Sequence, residues 1–141
     1  MREQSFKAII KNQVTELGPL ADNIDLFVQT HGLPSKLAHE VNICLDEIVS
    51  NVINYGYPDG GEHLMEIRLA LTPEGLITEV EDGAKPFNPL NEAKEPDVGK
   101  PLEEREIGGL GVFLVKKLMD EVSYTRCGDR NILTLTKRIN Q

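Results

Sequence analysis

Cysteine is scarce in this chain. Cys44 and Cys127 are the two in 141 residues, too few for a zinc-ligand set and giving no sign of an oxidising compartment. No apolar run exceeds a few residues, so none has the length to cross a bilayer. The opening residues, Met1-Arg2-Glu3-Gln4-Ser5, lack the apolar core of a signal peptide. Positive charge is also in deficit: 15 Lys and Arg stand against 23 Asp and Glu, a net charge of −8. Affinity for nucleic acid comes largely from neutralising phosphates, and an acidic chain with no basic stripe is poorly suited to it. The expectation is a cytoplasmic protein that engages neither nucleic acid nor membrane.

What the chain does have is enough apolar residue, 40%, for one core, and its length suits a single domain over residues 1–141. Phe6 to Ile10 reads as a strand. After Gly18-Pro19, the spacing of Leu20, Ile24, Phe27 and Val28 predicts a helix from Leu20 to His31, stopped by Gly32. A second helix follows Pro34-Ser35 and runs to about Tyr55, where Gly56, Pro58, Asp59, Gly60 and Gly61 break the pattern. Strands are expected at 64–72 and 75–82, joined as an antiparallel hairpin through Pro73-Glu74-Gly75. Phe87 to Ile107 has no periodicity, holds Pro89, Pro96, Gly99 and Pro101 and carries six acidic residues. It reads as a long surface loop, of the kind that often serves as a lid. A third helix, about Leu110 to Asp120, places Gly111, Leu114, Val115 and Leu118 on one stripe, and strands near 121–126 and 131–139 turn at Gly128-Asp129. The order predicts an α+β domain: a two-layer sandwich of a mixed, mostly antiparallel sheet with about three helices on one face.

Three segments carry candidate chemistry. On the second helix Leu37, Val41, Leu45, Ile48 and Val52 form the core stripe, while Glu47, Asn51 and Asn54 fall within about 60° of one another on a different face. That set reads either as solvated surface or as a carboxylate base and an amide oxygen suited to a hard cation such as Mg²⁺. Glu81-Asp82-Gly83-Ala84-Lys85-Pro86-Phe87 ends a strand. Turn chemistry explains it, or else the bend brings the Asp82 carboxylate to a base edge where it accepts from an exocyclic amine. Gly108-Gly109-Leu110-Gly111-Val112 stands at a helix start, where exposed amides and the helix dipole favour an anion such as phosphate. No Gly-Lys-Ser/Thr follows, so it is not a Walker motif, and no βαβ unit surrounds it.

In this order and spacing the segments resemble the GHKL ATPase family (Bergerat fold), and within it the bacterial anti-sigma regulatory factors of the serine/threonine kinase type. The likeness runs from about residue 5 to 139. It is carried most specifically by Leu45-Asp46-Glu47-Ile48-Val49-Ser50-Asn51, by Pro86-Phe87-Asn88-Pro89, and by Gly108-Gly109-Leu110-Gly111 through Leu118-Met119-Asp120-Glu121-Val122.

The resemblance implies roles. Glu47 is the general base for the attacking hydroxyl, Asn51 the Mg²⁺ ligand, and Asp82 the partner of the adenine amino group. Ala84, Pro86 and Phe87 border the nucleotide, and Gly108, Gly109, Leu110, Gly111 and Val112 cradle its phosphates. The stretch at about 88–107 is an ATP lid, in which Arg105 is either a γ-phosphate contact or a solvated cation. Ala84 stands where the family usually has glycine, and Tyr55 where a histidine is often found. The threonine that supports adenine from the last strand is Thr134 or Thr136.

By the same resemblance the protein is an ATP- and Mg²⁺-dependent serine/threonine kinase that phosphorylates an anti-anti-sigma (STAS) protein, sequesters a sigma factor and forms a homodimer. Two rival readings stay open: a non-catalytic, nucleotide-responsive adaptor of the same fold, and a histidine-kinase-type catalytic domain. His31, His39 and His63 are not expected to form a metal triad, and Cys44 is expected to be packed rather than reactive.

Overall fold

Alternation of apolar and polar residues along each strand builds a sheet with one face for the core and one for solvent. The computed structural model describes residues 4–86 and 109–139, with side chains of the last helix described from Leu114 onward. The strands are β1 (Ser5–Lys11), β2 (Leu64–Thr72), β3 (Gly75–Asp82), β4 (Glu121–Cys127) and β5 (Arg130–Lys137). The helices are α1 (Leu17–Thr30), α2 (Ser35–Tyr55) and α3 (Gly109–Leu118).

The strands lie in the order β1-β2-β3-β5-β4, and every pairing among the described residues is antiparallel. The expected mixed component is absent there for a topological reason. β4 runs parallel to β3, but β5 is inserted between them.

On the inner face Met65, Ile67 and Leu69 of β2, Leu76 and Val80 of β3, and Leu133 and Leu135 of β5 are buried. They meet Leu20, Ile24 and Val28 of α1 and Leu37, Val41, Leu45 and Ile48 of α2 in one core. The amphipathic stripe read from the sequence of α2 is thus the face that packs on the sheet. Val115 and Met119 bring α3 into the same core, whereas Leu114 of the expected stripe is exposed. The buried line of that helix lies one position further round, on Val115, Leu118 and Met119.

Helix ends differ from the sequence expectation where backbone donors matter. A 3₁₀ turn at Val14–Glu16 leads into α1, which starts at Leu17 rather than Leu20. Gly18 and Pro19 then occupy the first turn, where backbone N–H groups have no intrahelical partner for proline to remove. At the other end Gly32 adopts φ 66°, its N–H donates to Gln29 O at 3.1 Å and that of Leu33 to Val28 O at 3.0 Å. This pair of bonds is a Schellman stop, which favours glycine.

The opposite sheet face is polar and laced with ion pairs. Arg68 reaches Glu66, Glu79 (3.1 Å) and Glu81 (3.0 Å), Arg130 reaches Glu81 at 3.1 Å, and Lys7 lies 3.8 Å from Glu66. Among the described residues no helix is long and apolar enough to cross a membrane.

Candidate functional site

Helix α2 carries Glu47 and Asn51 one turn apart, both half-buried, with Asn54 exposed beside them. Neither Glu47 nor Asn51 makes a side-chain hydrogen bond or ion pair among the described residues. The apolar stripe packs on the sheet and leaves this polar set on a separate face, as the helical period requires.

The C-terminal end of α2 is tied to the end of β3. The Lys85 N–H donates to Gly56 O at 3.1 Å. Ala84, 4% exposed, packs against Gly56 so closely that a β-carbon on Gly56 would stand 2.8 Å from the Ala84 methyl. Alanine at position 84 is therefore accommodated by the missing side chain at Gly56.

Asp82 is buried at this junction. Its Oδ1 accepts from the Ala84 N–H at 3.0 Å and from Asn131 Nδ2 at 2.9 Å. Its Oδ2 carries no hydrogen bond among the described residues. The Tyr57 side chain approaches from the turn after α2. Burial pushes its phenol up, and the neighbouring Asp82 charge pushes it further the same way. Its hydroxyl is buried and makes no hydrogen bond of regular geometry among the described residues, although the Gly83 N–H is near enough to oppose that shift. The Tyr57 ring stacks on His63, centroids 4.0 Å apart, and His63 Nε2 donates to Asp59 at 3.0 Å. His31 lies far along the chain, donating from Nδ1 to Phe27 O at 2.9 Å.

One expectation is corrected here. Asp82 pairs with Asn131 across the β3–β5 ladder, whereas Thr134 pairs with Glu79 and Thr136 with Ile77. Because strand side chains alternate, both threonines lie on the face opposite Asp82, and Thr134 donates to Glu79 there at 3.3 Å. Neither lies beside Asp82; Asn131 does. The glycines from Gly109 onward stand at a helix start, within one residue of the expected boundary. Gly109 is the first residue of α3, and Leu110, Gly111 and Val112 follow within its first turns. Their backbone amides belong to the helix N-terminus itself, where donors are free. Phe87, Arg105, Gly108 and the expected lid at about 88–107 lie outside the described residues. Pro86 is exposed at the end of the Asp82 turn, and Tyr55 is exposed on α2.

Sequence reasoning missed Asn131, and with it Tyr124 and Arg126. Tyr124 Oη and Arg126 Nη1 both donate to Asn131 Oδ1, the latter at 3.0 Å. Inward alternation of Leu133 and Leu135 was the available signal, since two residues back it puts Asn131 on the inner face.

A profile of the histidine kinase-like ATPase domain matches residues 10–137, spanning α2, the Asp82 turn and α3. The chain belongs to this family. As a histidine kinase-like ATPase domain it has curated relatives of modest identity. It is 26% identical over 102 residues to the serine/threonine-protein kinase BtrW of Bordetella bronchiseptica, covering 72% of this chain and 71% of that one. It is 30% identical over 90 residues to the serine-protein kinase RsbW of Halalkalibacterium halodurans, covering 59% of this chain and 52% of that one. The chain thus spans about half of that RsbW.

The fold of this histidine kinase-like ATPase domain recurs within the crystal structure of the RsbU and RsbW domains of a Mycobacterium tuberculosis protein. The TM-score there is 0.66 at 14% identity, covering 95% of this chain and 32% of that one. It recurs again in the histidine kinase domain of an Erythrobacter litoralis blue-light activated kinase, with TM-score 0.55 at 18% identity over 89% of this chain and 60% of that one.

The donor set fits a nucleotide with a hard cation. An amide oxygen and a carboxylate share one helix face, a second carboxylate has an oxygen with no hydrogen bond among the described residues, and a glycine-rich helix start supplies amides.

Proposed function

We propose that this chain, as one domain over residues 1–141, is an ATP- and Mg²⁺-dependent serine/threonine protein kinase. The observation that supports it is the tie between α2 and the Asp82 turn, through the Lys85 N–H to Gly56 O bond at 3.1 Å. From Gly56 back along the helix axis, Asn51 lies about 7 Å away and Glu47 about 14 Å. Base acceptor, metal-ligating amide and general base thus follow in the order of base, phosphates and terminal phosphoryl group in a nucleoside triphosphate.

In this reading the Asp82 carboxylate accepts from the adenine amino group. Asn51 would hold Mg²⁺ through its amide oxygen, and Mg²⁺ supplies neutralisation of phosphate oxygens when bound. The N-terminal amides of α3, from Gly109 through Val112, would receive the phosphates, and Ala84 and Pro86 would border the base; by family likeness alone we assign Gly108 and Arg105 to the phosphates and Phe87 to the base. Glu47 orients the substrate serine or threonine hydroxyl and takes its proton. That oxygen bonds to the γ-phosphorus, and the bond to the β-phosphate oxygen breaks with its electron pair leaving on ADP. Positioning and charge stabilisation do most of such work.

The kinase names of its relatives support the transfer reading. By family likeness we assign a STAS-domain anti-anti-sigma protein as substrate, a sigma factor as the sequestered partner, a homodimer as the working state and the cytoplasm as the location.

Calorimetry of Mg²⁺-dependent ATP binding, with wild type beside Asn51→Ala, tests the pocket. Binding by the wild type and loss in the variant are expected. Absence of wild-type binding at millimolar ATP overturns the proposal.

A further inference from the structure

The hydrogen bonds around Asn131 do more than join β5 to a turn. Its Nδ2 lies 2.9 Å from Asp82 Oδ1, 3.2 Å from Ala84 O and 3.0 Å from Lys85 O, so three acceptors surround one amide nitrogen. Its Oδ1 receives Tyr124 Oη and, at 3.0 Å, Arg126 Nη1. Asn131 and Asp82 are 6% and 4% exposed, so mispaired polar atoms here would be costly.

A flipped amide would set its oxygen against a carboxylate and two carbonyls, and its nitrogen against a guanidinium. A guanidinium has donors only, and Arg126 is itself anchored by Nη1 to Ala84 O at 2.9 Å and Nε to Gly128 O at 3.1 Å. Arg126 therefore dictates which way the Asn131 amide points, and the amide dictates that a donor faces Asp82. With the Ala84 N–H bound to the same oxygen at 3.0 Å, Oδ1 is filled and the carboxylate plane is fixed.

The geometry points to Asn131 and Arg126 as positioning residues that make the site select a 6-aminopurine over a 6-oxopurine. This rests on the nucleotide reading of Asp82. The fixed carboxylate offers Oδ2 alone, an acceptor that suits an exocyclic amino group and repels a 6-oxo oxygen. A carboxylate released from Asn131 can turn and shift to accept the N1–H of a 6-oxopurine, so discrimination falls.

The test compares Mg²⁺-dependent binding of ATP and of inosine triphosphate, which differ at the 6-position, by calorimetry. Wild type, Asn131→Ala, Arg126→Met and Asp82→Asn are measured, with thermal melts alongside. Wild type is expected to prefer ATP, and Asn131→Ala to lower the ATP-to-ITP affinity ratio by about tenfold or more. Arg126→Met is expected to lower the ratio in the same direction by a smaller factor. It also carries the test if Asn131→Ala fails to fold, since it keeps Asn131 against Asp82. Equal weakening of both nucleotides at an unchanged ratio overturns the positioning role, because a merely structural contact moves stability and not base preference. Asp82→Asn separates the two layers. If it collapses the ratio while the other variants keep it, the positioning role alone falls. If it too leaves the ratio unchanged, or if wild type does not discriminate, the base reading of Asp82 falls first.

Discussion

Gly56 and Ala84 are fitted to each other. A β-carbon at Gly56 would stand 2.8 Å from the Ala84 Cβ and 2.7 Å from Val52 O, both inside van der Waals contact. Ala84 cannot retreat easily, because its N–H is bound to Asp82 and its carbonyl to Arg126 and Asn131. Gly56→Ala is expected to destabilise the fold by about 1–3 kcal/mol through overpacking and to weaken ATP binding by displacing the Asp82 turn. Adding Ala84→Gly removes one of the two clashes, so the double variant should recover part of the loss. A urea-melt double-mutant cycle measures this coupling, and additive effects would show that the contact carries no strain.

Glu47 separates transfer from binding. It is half-buried on the face of α2 that holds Asn51, and binding alone needs no base. Glu47→Gln keeps shape and hydrogen-bonding capacity and removes proton acceptance. ATP affinity measured by calorimetry should stay within a few-fold of wild type, while phosphoryl transfer to a partner protein drops by about 10²–10⁴-fold. Transfer at the wild-type rate in this variant removes the base role from Glu47, whereas ATP binding without any transfer by the wild type leaves the adaptor reading in its place.

The fold was legible in the sequence where information is local. The β2–β3 hairpin, both limits of α2 and the Gly32 stop follow from alternation, helical spacing and turn residues within a few positions. The start of α1 was missed because Gly18-Pro19 signals a break, although a first turn tolerates both residues. The site was legible only on its helices and turns. Glu47 and Asn51 stand one turn apart on a single helix, whereas Asp82 and Asn131 are paired across the sheet at a separation of 49 residues. That register is set by packing of the β4–β5 hairpin against β3, which no local pattern encodes. Thr134 and Thr136 drew attention by residue type. Their phase relative to Leu133 and Leu135 puts them on the wrong face.

The cysteines offer a check on the packing of α2. Cys44 is fully buried. Burial pushes its thiol up to about 11, with the Glu40 charge adding to the rise and Lys137 opposing it. The thiolate is the reactive form, so at pH 8 Cys44 should resist Ellman's reagent in the folded protein, while Cys127, exposed at the end of β4, reacts promptly. One thiol before denaturation and two after is the expected titration. Equal reaction rates at both positions would contradict the placement of Cys44 in the core.

The polar sheet face should give the protein a pH-dependent reserve of stability. Hydrogen bonding from Arg68 holds the Glu81 carboxyl below its ordinary value; burial opposes this, and Arg130 adds to the lowering. The folded value lies below the unfolded one, so the unfolded chain binds more protons as the solution is acidified. This stabilisation is therefore complete above the ordinary carboxylate range, about pH 4–5, and is lost as pH falls through the depressed folded value. Arg68→Met leaves Glu66, Glu79 and Glu81 clustered without their shared cation. For this partly solvated network the expected loss at pH 7 is about 1–2 kcal/mol, read from urea melts. The gap between wild type and variant should narrow as pH drops from neutral toward 3, because protonated carboxyls no longer need the guanidinium. It should also narrow in molar salt, which screens exposed charges. A gap that stays constant from pH 7 to 3 would mean that Arg68 contributes packing by its aliphatic stem and not charge.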